Sequence, residues 1–257
     1  MKATGSGVTL QRDGHVAIIT LNRPEVRNAL DLAAAHELVA AVDDVEADSE
    51  VWVAILTGGD GPAFSAGADL NARKRGEPRA VIDPFGFGGF VRRPRTKPFI
   101  AAVNGYAVGG GFEIALSCDI VVATENATFA LPEVKLGLIA AGDCLPIAMT
   151  RLPQATATEI ALTGRQIPAR EALQLGLVSA VGPQALPLAR DHAERICQGA
   201  PLAVRATLEL LHTLCPRPPA GYYALADAIQ AQLQNTADAT EGSSSFAEKR
   251  PPRWTSL

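Results

Sequence analysis

Residues 101–120 read AAVNGYAVGGGFEIALSCDI, and this stretch decides the fold. An apolar run, a turn, three consecutive glycines and a helical segment carrying Glu113 follow one another within it. Because glycine loses more entropy on folding than any other residue, Gly109–Gly111 suit a backbone that must come close to another group. The run opens a helix, so its unpaired N–H groups and the positive end of the helix dipole predict a site for an oxygen anion.

A second turn of small residues lies upstream, in FSAGADL at 64–70. It has two interpretations that the sequence leaves open. Asp69 can cap a helix that follows a tight turn. Alternatively, this is a second backbone of close approach, which offers the N–H of Ala68 to a ligand.

Glu133 follows a proline in FALPEVKLGLI, residues 129–139, among apolar neighbours. A carboxyl group there is either a helix cap or a working acid with a raised pKa. The stretch 72–97 has no sustained period and mixes Gly, Pro, Arg and Phe, which is typical of a lid or a pocket wall. Phe85, Phe87 and Phe90 either line an apolar pocket or anchor this loop.

The remaining patterns predict alternating strands and helices. Residues 8–22 predict a hairpin around Asp13-Gly14, and Asp31 is expected to cap a helix that runs to about residue 48. Continuous apolar runs predict buried strands at 51–57, 98–103 and 119–123, and a short strand at 177–181. Helices are expected at 168–176, 185–198, 201–214 and 220–236, so strand–strand–helix units precede an all-helical segment.

Composition limits the classes of function. The chain has 257 residues, is 47% hydrophobic and carries a net charge of −4, so it can bury a large core and offers no basic face for nucleic acid. Charged residues make up only 19%, which favours a surface partly covered by other subunits. The scattered cysteines and histidines predict free thiols and no metal site. Without a signal peptide or a membrane-spanning run, the protein is expected in the cytoplasm.

These stretches together resemble the enoyl-CoA hydratase/isomerase family, also called crotonases. The resemblance rests on stretches across almost the whole chain: 21–30, 64–70, 101–120, 129–139, 161–181 and 246–252. It implies an α/β crotonase (ClpP-like) spiral of ββα units over residues 1–200. It also implies a C-terminal helical oligomerisation segment over 201–257, and a homotrimer or a dimer of trimers.

The resemblance also implies a ligand and a set of site residues. The ligand is an acyl-CoA thioester, and coenzyme A enters as part of the substrate, with no separate cofactor and no metal. The resemblance implies that the backbone N–H groups of Ala68 and Gly110 form an oxyanion hole for the thioester oxygen. It also implies that Glu113 and Glu133 are the catalytic acids. Coenzyme A contacts are implied for Val26, Arg27, Ala66, Gly67, Ala68, Asp69, Leu70, Gly110, Phe246 and Lys249.

Two glutamates favour the hydratase branch, in which water adds reversibly to a 2-enoyl-CoA through an enolate. One carboxyl group activates water for attack at C3, which we assign to Glu113, and Glu133 exchanges the proton at C2. A double-bond isomerase and a non-catalytic acyl-CoA-binding protein remain alternatives. Asp143 departs from the usual pattern of fatty-acid hydratases, and it is interpreted either as a helix cap or as an acid that selects a polar acyl group.

Overall fold

The computed structural model describes residues 7–214 and 218–255, so Cys215 lies outside the described part of the chain. Strands β1 (Val8–Asp13) and β2 (Val16–Leu21) form an antiparallel hairpin, in which Asp13 pairs with Val16. Gly14 occupies the turn with a φ of 57°, which glycine adopts without strain. The hairpin predicted from Asp13-Gly14 is confirmed.

Most of the strands belong to one of two sheets. Besides β1 and β2, the larger sheet contains β3 (Val53–Thr57), β7 (Phe99–Val103), β9 (Ile120–Thr124) and β12 (Ala180–Gly182). The smaller sheet contains β4 (Ala63–Ser65), β8 (Tyr106–Val108), β10 (Thr128–Ala130) and β11 (Gln166–Pro168). The strand order is β1-β2-β3-β7-β9-β12 in the larger sheet and β11-β10-β8-β4 in the smaller one. A short hairpin pairs β5 (Val81–Ile82) with β6 (Gly86–Phe87).

Successive turns of the chain repeat one pattern. Each gives a strand to the larger sheet, then a strand to the smaller sheet, as β3–β4, β7–β8 and β9–β10 do. Neighbouring turns pair in parallel in both sheets. This repetition is the expected spiral of ββα units.

Ten helices accompany the sheets in the described residues. The first five are α1 (Leu32–Ala47), α2 (Leu70–Lys74), α3 (Gly110–Ser117), α4 (Cys144–Arg151) and α5 (Gln154–Thr163). The others are α6 (Ala169–Gln174), α7 (Ala185–Cys197), α8 (Pro201–Leu214), α9 (Tyr222–Leu233) and α10 (Ala237–Glu248). Two 3₁₀ helices cover Pro24–Val26 and Pro132–Leu136.

The larger sheet is buried on both faces, which explains its continuous apolar strands. In β3, Ala54 and Leu56 join the main core with α1, whereas Val53 and Ile55 join a second cluster with α7. The Asp31 cap is confirmed, because its side chain accepts a hydrogen bond from the Ala34 N–H at 2.8 Å.

Two strand boundaries differ by two residues or more from the sequence prediction. β3 begins at Val53 rather than at 51, and the strand predicted over 177–181 begins only at Ala180. Helix α10 lies within the segment 201–257 that the resemblance implies to be helical. The division into 1–200 and 201–257 stays a prediction.

Candidate active site

A cavity of about 230 Å³ opens where the two small-residue turns meet. Its lining includes both candidate acids, Glu113 and Glu133, together with Ala68 and Gly110. These residues come from three separate stretches of the chain, since Gly110 and Glu113 both belong to α3. The spiral therefore brings together the catalytic and oxyanion-hole residues that the sequence singled out.

The two turns touch through their backbones. A Cβ added to Gly67, whose φ is 83°, would lie 2.8 Å from the Val108 carbonyl oxygen and 2.9 Å from the Gly110 nitrogen. A Cβ on Gly111 would lie 2.1 Å from the Ser65 carbonyl oxygen. Both distances are far shorter than ordinary contact, so only glycine fits. The close approach predicted for both turns is confirmed.

Two backbone N–H groups at this contact differ from their neighbours in having no acceptor among the described residues. The N–H groups of Gly67, Asp69 and Gly109 donate to Ser65 Oγ, the Leu30 carbonyl and the Ala130 carbonyl at 2.9–3.1 Å. By contrast, the N–H groups of Ala68 and Gly110 donate no hydrogen bond within the described residues. Both residues line the cavity, and Gly110 begins α3, so the positive end of the helix dipole lies there as well.

Glu113 lies in the first turn of α3 and is only 6% exposed. Burial raises its pKa to about 8. A hydrogen bond from the Asp143 N–H to Oε1 opposes this shift, whereas the nearby Asp143 and Glu133 carboxylates add to it. The Gly142–Asp143 segment packs closely against this carboxyl group, because a Cβ on Gly142 would lie 1.7 Å from Glu113 Oε1.

Glu133 lies in the 3₁₀ helix Pro132–Leu136, which has no side-chain cap, so the cap interpretation is wrong. Its Oε2 is buried and has no hydrogen-bond partner in the described part of the chain. Burial raises the pKa of Glu133 to about 7, although its own backbone N–H opposes the shift. Oε1 faces Gly109, since a Cβ there would lie 3.0 Å away. The alternative of an acid with a raised pKa is therefore favoured.

Asp143 precedes α4 without capping it, so the cap interpretation is wrong here too. Its carboxylate accepts a hydrogen bond from Arg92 Nε at 2.8 Å and another from the Tyr223 hydroxyl. Arg92 lines the cavity, and its guanidinium lies 3.7 Å from the centre of the Tyr223 ring. Sequence reasoning missed Arg92 and Tyr223, because neither belongs to a local motif.

The aromatic residues of the 72–97 stretch divide between the two interpretations. Phe87 is a pocket wall, since it lines the cavity and a Cβ on Gly110 would lie 2.3 Å from its ring. Phe90 is an anchor, because it is fully buried against Phe99. Phe85 lies against the Arg93 guanidinium.

Comparisons with known proteins agree with this geometry. Residues 11–256 match the family described as enoyl-CoA hydratase/isomerase. The chain belongs to this family. The carnitinyl-CoA dehydratase of Salmonella typhi is 41% identical over 253 residues, with 95% of this chain and 97% of that protein covered.

Solved structures of the family have the same fold. The carnitinyl-CoA hydratase from Mycobacterium avium superposes with a TM-score of 0.92 at 38% identity, covering 99% of this chain and 100% of that one. The enoyl-CoA hydratase from Mycobacterium tuberculosis H37Rv gives a TM-score of 0.79 at 42% identity, covering 98% and 100%. The crotonase fold is thereby established for this hydratase/isomerase family member.

The residues predicted to contact coenzyme A in this crotonase fall into two groups. Those that line the cavity are Ala66, Ala68, Asp69, Leu70 and Gly110. Asp69 also caps α2, accepting from the Asn71 and Ala72 N–H groups, so its cap interpretation is confirmed. Val26, Arg27 and Gly67 lie outside the cavity lining, although the Arg27 carbonyl accepts from the Ala66 N–H at 3.0 Å.

Phe246 and Lys249 lie at the end of α10, where both are exposed and outside the cavity lining. Their contact with coenzyme A stays a prediction. Within residues 7–214 and 218–255, no helix is both long and apolar enough to cross a bilayer.

Proposed function

We propose that this protein is an enoyl-CoA hydratase, which adds water reversibly to the double bond of a 2-enoyl-CoA. One observation carries this proposal. Two carboxyl groups with raised pKa values border the same cavity as two backbone N–H groups that donate no hydrogen bond within the described part of the chain. Acid–base groups beside an oxyanion site are what addition of water to an unsaturated thioester requires.

The N–H groups of Ala68 and Gly110 bind the thioester carbonyl oxygen. As water attacks C3, negative charge moves onto that oxygen, and the two donors stabilise the enolate more strongly than the substrate. Glu113 takes the proton of the attacking water, and Glu133 delivers a proton to C2. Water loss is the same sequence in reverse, so one site catalyses hydration and dehydration.

The two carboxyl groups titrate as a pair, because each raises the cost of ionising the other. Hydration needs one carboxylate to accept a proton and one carboxylic acid to donate one. The active form therefore holds a single proton between Glu113 and Glu133. Their raised pKa values favour that form near neutral pH.

The acyl group is a second part of the proposal. Relatives at 41% identity are named carnitinyl-CoA dehydratase, and a carnitinyl group carries a quaternary ammonium. Asp227 on α9 lines the cavity, and its carboxylate suits such a cation. Carnitinyl-CoA is therefore a substrate to test beside crotonyl-CoA.

We also propose a homotrimer or a dimer of trimers, located in the cytoplasm, with coenzyme A present only as part of the substrate. Exposed leucines on α8 and α9 support an interface between copies of the chain: Leu202 is 76% exposed, Leu214 78% and Leu225 61%. Light scattering coupled to size-exclusion chromatography tests the assembly, and a monomer would contradict it.

The decisive experiment follows the loss of enoyl-thioester absorbance with crotonyl-CoA, and its appearance with carnitinyl-CoA. Wild type and Glu133→Gln are compared, with Glu125→Gln as the control, because Glu125 is exposed. We expect turnover in the wild type and control and its loss in Glu133→Gln, with CoA affinity unchanged. Full activity of Glu133→Gln would refute the assigned role.

The two alternatives give different results when a 3-enoyl-CoA is added to the substrates tested. A double-bond isomerase would convert a 3-enoyl-CoA without adding water, because Glu133 alone shuttles a proton between C4 and C2. A binding protein would bind crotonyl-CoA and carnitinyl-CoA without converting either.

A further inference from the structure

A polar cluster made of Arg92, Asp143 and Tyr223 adjoins Glu113. Its members come from the loop before β7, the residue before α4 and the first turn of α9. Asp143 is 6% exposed, and its carboxylate accepts from Arg92 Nε at 2.8 Å and from the Tyr223 hydroxyl. A buried carboxylate with two such donors has a fixed orientation.

The same residue holds Glu113 through its backbone. The Asp143 N–H donates to Glu113 Oε1, while its side chain is held by Arg92 and Tyr223. The preceding Gly142 lies so close to the Glu113 carboxyl group that no Cβ fits between them. Tyr222 adds a longer contact of 3.5 Å from its hydroxyl to the Gly142 carbonyl oxygen. Helix α9 thus fixes the peptide that contacts Glu113.

We propose that Arg92 and Tyr223 are positioning residues, which act through Asp143 to hold the Glu113 carboxyl group in its reactive orientation. This inference rests on the proposed function, in which Glu113 activates the water. Tyr223 is absent from the residues that line the cavity, so its effect on catalysis is indirect. Arg92 also borders the cavity, which makes Tyr223 the cleaner residue to substitute.

The charges that face Glu113 determine what each substitution does to its proton. Several elements contribute groups: Glu133 from the 3₁₀ helix, Asp143 and Cys144 at the start of α4, Tyr222 from α9, and Arg92 from the loop. The Asp143 carboxylate raises the pKa of Glu113, and Arg92 lowers it. Replacing Asp143 by Asn keeps the backbone N–H and removes the negative charge, so the pKa of Glu113 falls.

The test compares Tyr223→Phe and Asp143→Asn with the wild type in the full-length protein. For Tyr223→Phe we expect kcat to fall about tenfold, as the loss of one hydrogen bond to a charged group implies, with KM within about twofold. Tyr106→Phe is the matched control, because Tyr106 is 44% exposed and its hydroxyl makes no hydrogen bond in the described residues. Circular dichroism confirms that each variant is folded.

A second measurement does not depend on turnover. Carbon-13 NMR of carboxyl-labelled glutamate follows the titration of Glu113, whose signal is identified by its absence in Glu113→Gln. We expect the midpoint to move to lower pH in Asp143→Asn and to remain in place in Tyr106→Phe. An unchanged midpoint in Asp143→Asn, or an unchanged kcat in folded Tyr223→Phe, overturns the inference.

Failure of the proposed function gives a different pattern. The wild type would then convert neither crotonyl-CoA nor carnitinyl-CoA, while the NMR midpoint still moved in Asp143→Asn. An active wild type with an unmoved midpoint contradicts only the positioning role.

Discussion

Replacing Gly142 by Ala tests the geometry of Glu113 most directly. The new methyl group would lie 1.7 Å from Glu113 Oε1, 2.4 Å from Cδ and 2.7 Å from Oε2. To regain an ordinary contact of 3.4 Å, the carboxyl group must withdraw by about 1.7 Å. A displacement of that size also breaks the hydrogen bond from the Asp143 N–H.

The expected cost follows from the displacement. Misplacing a reacting group by about 1 Å lowers the rate by about 100-fold, and general acid–base catalysis contributes about 100- to 10,000-fold. We therefore expect kcat to fall at least about 100-fold. Overpacking costs about 1–3 kcal/mol of stability, so the protein stays folded with a lower melting temperature.

The assay measures kcat and KM from thioester absorbance, together with a thermal unfolding curve. Gly61→Ala is the matched control, because a Cβ there lies 3.6 Å from Pro24 Cβ, an ordinary contact. A folded Gly142→Ala protein with kcat within about threefold of wild type would refute the reasoning. Either Glu113 would not act on the water, or Gly142 would not confine it.

Three further predictions concern the oxyanion site and the two acids. Gly67→Ala strains a backbone φ of 83° and directs a methyl group at the Gly110 nitrogen, so we expect kcat to fall by about 100- to 1,000-fold. Stopped-flow kinetics measures kcat, and an active variant would exclude the Gly110 N–H as an oxyanion donor. We expect a bell-shaped pH profile of kcat/KM, because the Glu113–Glu133 pair must hold one proton. Both apparent pKa values of this profile lie well above the usual range of a carboxyl group. A rate that rises from pH 4 to a plateau would contradict this prediction. Glu113→Gln raises the melting temperature more at pH 8 than at pH 5. A carboxyl group whose pKa is raised in the folded state stabilises the fold below its unfolded pKa and loses that contribution as the pH rises through its folded pKa. Equal shifts of the melting temperature at both pH values would count against this prediction.

The glycine run shows what the sequence predicts well. Each glycine of 109–111 faces a different group: Glu133 Oε1, the Phe87 ring and the Ser65 carbonyl oxygen, respectively. A run that is unfavourable for helix stability needs such contacts, so their existence could be inferred without knowing the partners. The acids are recognisable for a related reason, because each stands in an apolar stretch after a turn.

The cluster behind Glu113 shows what the sequence does not predict. Arg92 and Tyr223 reach Asp143 across separations of 51 and 80 residues. Neither residue belongs to a periodic pattern or a local motif that would indicate its partner. Such contacts depend on how distant segments of the chain pack together. The cap interpretation of Asp143 was wrong because it considered only neighbouring residues.

Helix α10 forms where local helix preference is weak, because tertiary packing outweighs that preference. Its sequence, ADATEGSSSFAE, contains serines, threonine and glycine, which favour a helix weakly. The helix forms against the 3₁₀ segment that carries Glu133, and Gly242 permits this contact, since a Cβ there would lie 2.4 Å from the Leu136 carbonyl carbon. Propensity alone cannot reveal a helix that is stabilised in this way.

The last two helices have a consequence for how the protein is made. Ribosomes deliver the spiral first, and chains generally begin to fold from the N-terminal side during synthesis. Helix α9 contacts the residue whose backbone N–H binds Glu113, and α10 packs against the segment that carries Glu133. A nascent chain therefore completes its sheets before its acids are fixed in place. Enzymatic competence arrives at the end of translation, so a chain stalled before α9 would be folded in large part and yet inert.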